Sequence, residues 1–248
     1  MRERLQEILS DEQVLGVIGL RARHGHVGPH LFTDLAELDA LALALEPRYP
    51  MANYCKDILR GHPGARVGVV ARGCDERALV EMAKLGQLDL QCVAVIGVAC
   101  SEDEARACLC PRPFPSRIDA GERVEGVSRE HAETFAAEAF DRCIKCYGCR
   151  NACPVCICDT CVLEEACWVE HGRIPPSLPF HLIRIYHVVD KCVGCGMCEA
   201  ACPMDIPLSR LHLPLLHKVK ELFRYEPGAD AAESSPLTTT LEEGPLHA

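Results

Sequence analysis

The cysteines of this chain fall into a pattern that leaves few folds open. The stretch Asp141-Arg-Cys-Ile-Lys-Cys-Tyr-Gly-Cys-Arg-Asn-Ala-Cys-Pro recurs, from position 190 and so 49 residues on, as Asp190-Lys-Cys-Val-Gly-Cys-Gly-Met-Cys-Glu-Ala-Ala-Cys-Pro. Every cysteine, the leading Asp, one Ala and the closing Pro coincide, which marks a doubled structural unit. Each copy reads C-x2-C-x2-C-x3-C-P. Three cysteines two residues apart wrap a loop around three irons of a cubane, and the fourth, before Pro, serves the other cluster of a pair. The spacing therefore predicts two [4Fe–4S] clusters, one on Cys143, Cys146, Cys149 and Cys202, the other on Cys192, Cys195, Cys198 and Cys153. Crossing the fourth ligand makes the halves one unit and keeps the clusters close. Pro154 and Pro203 stop regular structure from running on across the cluster. Gly148, Gly194 and Gly196 are expected to let backbone N–H groups approach the sulfur.

Rival readings of the cysteines explain less. Two full four-cysteine runs with terminal prolines are not how zinc sites are built, although C-x2-C pairs do bind zinc. A disulfide framework requires an oxidising compartment, and the start Met1-Arg-Glu-Arg-Leu-Gln-Glu lacks the apolar stretch of a secretory signal. Cys149-x3-Cys153-x2-Cys156 has radical-SAM spacing but overlaps the ferredoxin run, and no strand–helix series for the barrel accompanies it. Eighteen cysteines are thus expected as reduced thiols in a cytoplasmic protein. No apolar run of membrane-spanning length appears. A formal net charge of −10 excludes a nucleic-acid partner, whose phosphates demand a basic surface, and suits docking on basic patches of a protein.

The expected architecture is α+β. An N-terminal α/β domain with a small parallel sheet (1–128) serves as a docking platform, followed by a bacterial two-cluster ferredoxin-like domain with an insert (129–225) and a disordered tail (226–248). Apolar runs predict strands at 14–20, 66–70 and 92–99, with a helix from Asp75 to near Gly86. Strand, helix and strand in succession form a βαβ unit. Helical spacing appears at 35–45 and 131–140, and residues 111–128 read as a connector. His24, His26 and His30 read as solvated loop residues. His212 and His217 fall on an amphipathic helix interrupted by Pro214, as surface or packing residues.

Further cysteines lie outside the doubled run. The insert carries Cys156, Cys158, Cys161 and Cys167, the last the weakest candidate. Cys74 and Cys100 each follow a predicted parallel strand, where open α/β sheets place their sites. A further cluster is therefore expected from Cys74 or Cys100 with Cys156, Cys158 and Cys161, and Cys55, Cys108 and Cys110 could join. The alternative for all of these is packing, since free cysteine behaves as a small hydrophobe. No catalytic constellation accompanies the cysteines, and Gly16 and Gly19 lack the context of a dinucleotide fingerprint.

The segments Val17-Ile-Gly, Asn53-Tyr-Cys, Val69-Val-Ala-Arg-Gly-Cys-Asp-Glu-Arg-Ala-Leu-Val-Glu and Ile96-Gly-Val-Ala-Cys resemble the beta subunit family of coenzyme F-420 hydrogenases and dehydrogenases. With Cys143-Ile-Lys-Cys-Tyr-Gly-Cys-Arg-Asn-Ala-Cys-Pro-Val-Cys-Ile-Cys, the chain is similar to iron–sulfur subunits linked to formate dehydrogenases and heterodisulfide-reductase-like complexes. The resemblance implies a non-catalytic subunit passing electrons between a hydrogenase or dehydrogenase partner and a flavin or heterodisulfide-reductase-like partner. Members that bind FAD and reduce the deazaflavin have a larger α/β region, so for this chain flavin ranks below the clusters as a cofactor. A flavin enzyme fed by its own clusters and a cluster carrier are the competing functions.

Overall fold

The computed structural model describes residues 1–43, 46–129 and 137–237. It divides into two compact units, Met1–Ser128 and Arg129–Ala248.

The first unit is a five-stranded sheet flanked by helices. Helix α1 (Arg2–Leu9) turns Leu5 and Ile8 inward and leads into β1 (Val14–Arg23). His24 and Gly25 then take left-handed φ values of 51° and 77°, as a two-residue hairpin turn requires. The chain returns as β2 (His26–Phe32), antiparallel from Arg23↔His26 to Val17↔Phe32. His26 and His30 are thus strand residues, and His30 lies 3.5 Å from Glu37. After β3 (Leu41–Ala42) come α2 (Met51–Gly61), β4 (Arg66–Ala71), α3 (Gly73–Lys84), β5 (Val93–Gly97) and α4 (Glu102–Ala107). The strand order is β2-β1-β4-β5, with β3 also pairing β1. β1, β4 and β5 run parallel, whereas β2 and β3 are antiparallel. The sheet is therefore mixed rather than parallel, because the tight turn at His24-Gly25 permits only an antiparallel return.

Both sheet faces are covered, so the strands read as apolar runs rather than alternating ones. Leu5, Ile8, Val17, Phe32, Leu38 and Ile96 form one core cluster. α2 and α3 pack on β4 and bury Met51, Ala52, Cys55, Ala78, Leu79 and Met82. Each large side chain so buried contributes about 1.5–3 kcal/mol. Asp75 lies three residues inside α3 rather than at its cap, and its carboxylate accepts the Arg72 N–H at 2.9 Å. The helical spacing from Leu35 yields only a 3-10 turn, Leu35–Ala40. The Asp34 carboxylate opens it by accepting Ala36 N–H, and the backbone then pairs with Leu20 and Arg21 as β3. Residues 44 and 45 lie outside the described residues.

The connector at 111–128 is fastened to the first unit. Gly97 N–H donates to the Asp119 carboxylate at 2.9 Å, Asp119 and Ala120 donate to Gly97 O, and Ala99 donates to Ala120 O. A Cβ on Gly97 would stand 1.8 Å from Arg117 O, which only backbone movement could relieve.

The second unit contains no β-strand among the described residues. Its helices are α5 (Gly148–Asn151), α6 (Leu178–Tyr186), α7 (Met197–Ala200) and α8 (Leu208–Phe223). Helix α8 continues through Pro214, so the predicted interruption does not occur. Of the helical spacing at 131–140, residues 131–136 lie outside the described residues, and Ala137–Arg142 forms a 3-10 turn. Residues 226–237 form turns, but part of this stretch packs rather than trailing away. Tyr225 is 2% exposed, Ser235 is buried, and its hydroxyl donates to the Asp190 carboxylate. Residues 238–248 lie outside the described residues.

Replacing Gly97 with Ala is expected to destabilise the first unit by about 1–3 kcal/mol through overpacking. A lowered midpoint of the far-UV unfolding transition, at unchanged iron content, checks it.

Candidate metal centres

The sequence repeat reappears as a repeat of backbone geometry. α5 and α7 begin and end at positions 49 apart, 148–151 against 197–200. Tyr147 and Gly196, before them, both take left-handed φ, 59° and 73°, as do Lys145 and Gly194, 55° and 69°. The second copy meets this demand with glycine and the first with bulky residues, which tolerate it at a cost of about 1–2 kcal/mol each. In return their side chains hold the insert. Tyr147 Oη–H donates to Leu163 O at 3.2 Å, and Lys145 Nζ donates to Glu170 O at 3.0 Å. Gly148, expected to admit a close backbone–sulfur approach, has a different task. A Cβ there would lie 2.8 Å from Ala201 O, so its bareness lets the copies pack together.

The left-handed turns aim N–H groups at sulfur. Lys145 N–H donates to Cys143 Sγ at 3.4 Å, and Gly194 N–H makes the equivalent bond to Cys192. Such bonds favour the thiolate that a metal needs. The thiols fall into two groups. Cys143 is pushed up by burial and by the nearby Cys149, Cys202 and Cys146. Cys198 is pushed up by burial and, among its neighbours, by Cys192, Cys195 and Cys153. Each group brings together three cysteines of one copy and the last cysteine of the other. Cys153, Cys192, Cys195 and Cys198 also line one cavity, with Arg184, Ser209 and His212 on its wall. Burial pushes the Cys192 thiol up to about 11. Cys143, Cys149, Cys198 and Cys202 pack on the apolar cluster of Phe140, Ile185, Ile206 and Leu208, which keeps water from that side.

Among the described residues, no three His, Cys, Asp or Glu side chains converge tightly enough to hold a single metal ion. Four thiols around a cavity, flanked by N–H donors and apolar walls, suit a body of several irons, in which each thiolate meets a different iron. The residues present thus fit a [4Fe–4S] cluster at this cavity.

The remaining cysteines are distributed differently. Cys156 bonds through its thiol to Cys153, which holds Cys153 below the usual thiol range and pushes Cys156 above it. Cys161 lies beside Arg150 and packs on the Leu163, Val169 and Phe180 cluster. Cys158 and Cys167 are exposed. In the first unit β4 and β5 are parallel neighbours, so Cys74 and Cys100 both follow carboxyl ends of strands. Arg72 Nη1 donates to Cys100 Sγ at 3.4 Å, Arg77 Nη2 to Cys110 Sγ at 3.9 Å, and Cys108 lies beside Arg48. Cys55 is fully buried, and burial pushes its thiol up to about 12. Of the expected further set, Cys74 and Cys100 belong to the first unit and Cys156, Cys158 and Cys161 to the second.

Sequence reasoning assigned His212 to surface or packing and did not consider Arg184. Both are buried, 3% and 4% exposed, and both line the cavity. Their only sequence signal is a polar residue on the apolar face of α6 or α8.

Comparison with known proteins agrees with this chemistry. The sequence model of the 4Fe-4S binding domain matches residues 185–207, which contain the second cysteine run. The F420-dependent formate dehydrogenase subunit beta of Methanocaldococcus jannaschii is 37% identical over 134 residues, 48% of this chain and 35% of that protein. The F420-dependent formate dehydrogenase 1 subunit beta of Methanococcus maripaludis is 48% identical over 92 residues, 37% of this chain and 24% of that protein. The chain thus spans about a third or less of the length of these relatives.

Replacing Tyr147 with Phe is expected to remove the bond to Leu163 O and loosen the insert by about 1 kcal/mol. Faster amide exchange over residues 155–170, with the cluster absorbance retained, checks it. With its doubled cysteine run and a matching 4Fe-4S domain, the chain is an iron–sulfur protein similar, over these stretches, to the beta subunits of F420-dependent formate dehydrogenases.

Proposed function

We propose that the chain is an electron-transfer subunit of a multi-subunit oxidoreductase, holding two [4Fe–4S] clusters in its second unit. Cys143, Cys146, Cys149 and Cys202 hold one and Cys192, Cys195, Cys198 and Cys153 the other. The observation that carries this reading is the grouping of each copy's three close cysteines with the other copy's last one. The clusters, when bound, supply one-electron redox chemistry without bond making at a substrate. The chain's own residues orient the thiols through N–H groups of Lys145 and Gly194. Phe140, Ile185, Ile206 and Leu208 exclude water from the cysteines they pack against, which lowers the solvent reorganisation that accompanies each electron.

The relatives are named for formate dehydrogenase and F420. We assign this chain the relay step alone, between a catalytic dehydrogenase or hydrogenase partner and a flavin-bearing or heterodisulfide-reductase-like acceptor. The first unit serves as the docking platform, and the chain works in the cytoplasm.

Anaerobically purified protein is expected to contain about eight irons and as many acid-labile sulfides per chain, four for each cluster. About twelve irons would add a further cluster on the cysteines outside the two groups, with Cys74, Cys100, Cys156, Cys158 and Cys161 the first to be replaced. Cys195→Ala is expected to remove one cluster's signal in the reduced-state EPR spectrum while the first unit stays folded. Unchanged electron transfer to a partner in that variant would end the relay proposal.

A further inference from the structure

Arg184 sits on α6 with 4% of its surface exposed. Its Nη2 donates to Cys149 O, while Nε and Nη1 have no hydrogen-bond partner among the described residues. A buried guanidinium costs several kcal/mol unless its charge is matched. The usual match is a carboxylate, but Arg184 has no ion pair among the described residues. Asp190, the one acid buried in this unit among the described residues, is taken by Lys191 at 2.8 Å and by Ser235. Four cysteines lie close enough to act on its charge instead. Burial acts to discharge it, and Cys149, Cys153, Cys198 and Cys156 outweigh burial and hold it protonated far above the physiological range. Cys149 belongs to one proposed cluster set, and Cys153 and Cys198 to the other. Arg184 also lines the cavity of the second set. His181 and His212, also buried, are held neutral down to about 4, by burial first and by Arg184 second.

We propose that Arg184 is the fixed counter-charge shared by the two thiol sets, and that it sets the reduction potential of the cluster held by Cys153, Cys192, Cys195 and Cys198. The inference rests on the relay reading above. Reduction adds one electron to the site; no bond forms or breaks, and no proton moves, because the guanidinium is charged before and after. The electron comes from the catalytic partner in the relay, or from dithionite in the test. A cation at fixed distance favours the more negative, reduced form and so raises the potential. Arg184 is thus a positioning residue for charge, on the wall of the cavity that Cys153, Cys192, Cys195 and Cys198 line.

The test compares wild type, Arg184→Met and Arg184→Lys as anaerobically purified holoprotein. Iron and sulfide are assayed chemically, and midpoints are read by dithionite titration with redox mediators and EPR detection. Arg184→Met is expected to keep its iron and sulfide. At the wild-type midpoint its reduced-to-oxidised ratio should fall at least tenfold, about 59 mV for a one-electron couple. Arg184→Lys, which restores the charge, should recover most of that shift. Unchanged midpoints in an iron-replete Arg184→Met protein would overturn the proposal. So would loss of iron from both variants, which would make Arg184 a prop for the Cys149 carbonyl. If wild type itself holds no iron or sulfide, the relay reading fails first, and the iron assay alone reveals it.

Discussion

Crowding thiols into a space screened from water is the constraint around which the second unit is organised. Held as thiolates by a cluster, two such sulfurs about 4 Å apart would repel by about 4 kcal/mol at an effective dielectric of 20, and each cysteine group gathers four. The chain answers with three kinds of positive potential. Left-handed turns deliver N–H groups to Cys143 and Cys192. Arg184 brings a full charge to the wall of the cavity lined by Cys153, Cys192, Cys195 and Cys198. The first turns of α5 and α7 begin within each cysteine run. The short helices, the bare Gly148 against Ala201 and the apolar wall under the cysteines are arranged around that requirement.

The two copies meet one backbone demand by different means. Gly194 and Gly196 take left-handed φ without strain, whereas Lys145 and Tyr147 take it against their own preference. Their side chains reach Glu170 O and Leu163 O, so strain in the first copy is coupled to anchoring of the insert. The second copy has no insert to hold, and glycine suffices there.

Much of the cage was legible in the sequence because spacing along a loop dictates how thiols converge. The doubled run told which cysteines to look for together, and Cys153, Cys192, Cys195 and Cys198 line one cavity. The strands at 66–70 and 92–99 and the helix between them were readable as apolar runs with a stop at Gly86. The parallel-only sheet was a misreading, because the hairpin hinges on His24 accepting left-handed φ beside Gly25, and histidine is a weak turn signal. Helices α1 and α2 were missed because neither opens with a side-chain cap. Arg184 left one faint mark in the sequence, a polar residue on the apolar face of α6. An arginine between Ile183 and Ile185 looks like a surface residue, and only the packing of α6 against both cysteine runs turns it inward.

The bond from Ser235 to Asp190 separates two copies that look alike on paper. Asp190 is buried and engaged by Ser235 and Lys191, while Asp141, its counterpart, is exposed. Cys146 is exposed, and its counterpart Cys195 is half-buried. Two sites with identical surroundings would be energetically degenerate, and charge would have no reason to rest on one rather than the other. Unequal burial lifts that degeneracy, so on the relay proposal the duplicated motif would offer two rungs of different height rather than the same rung twice.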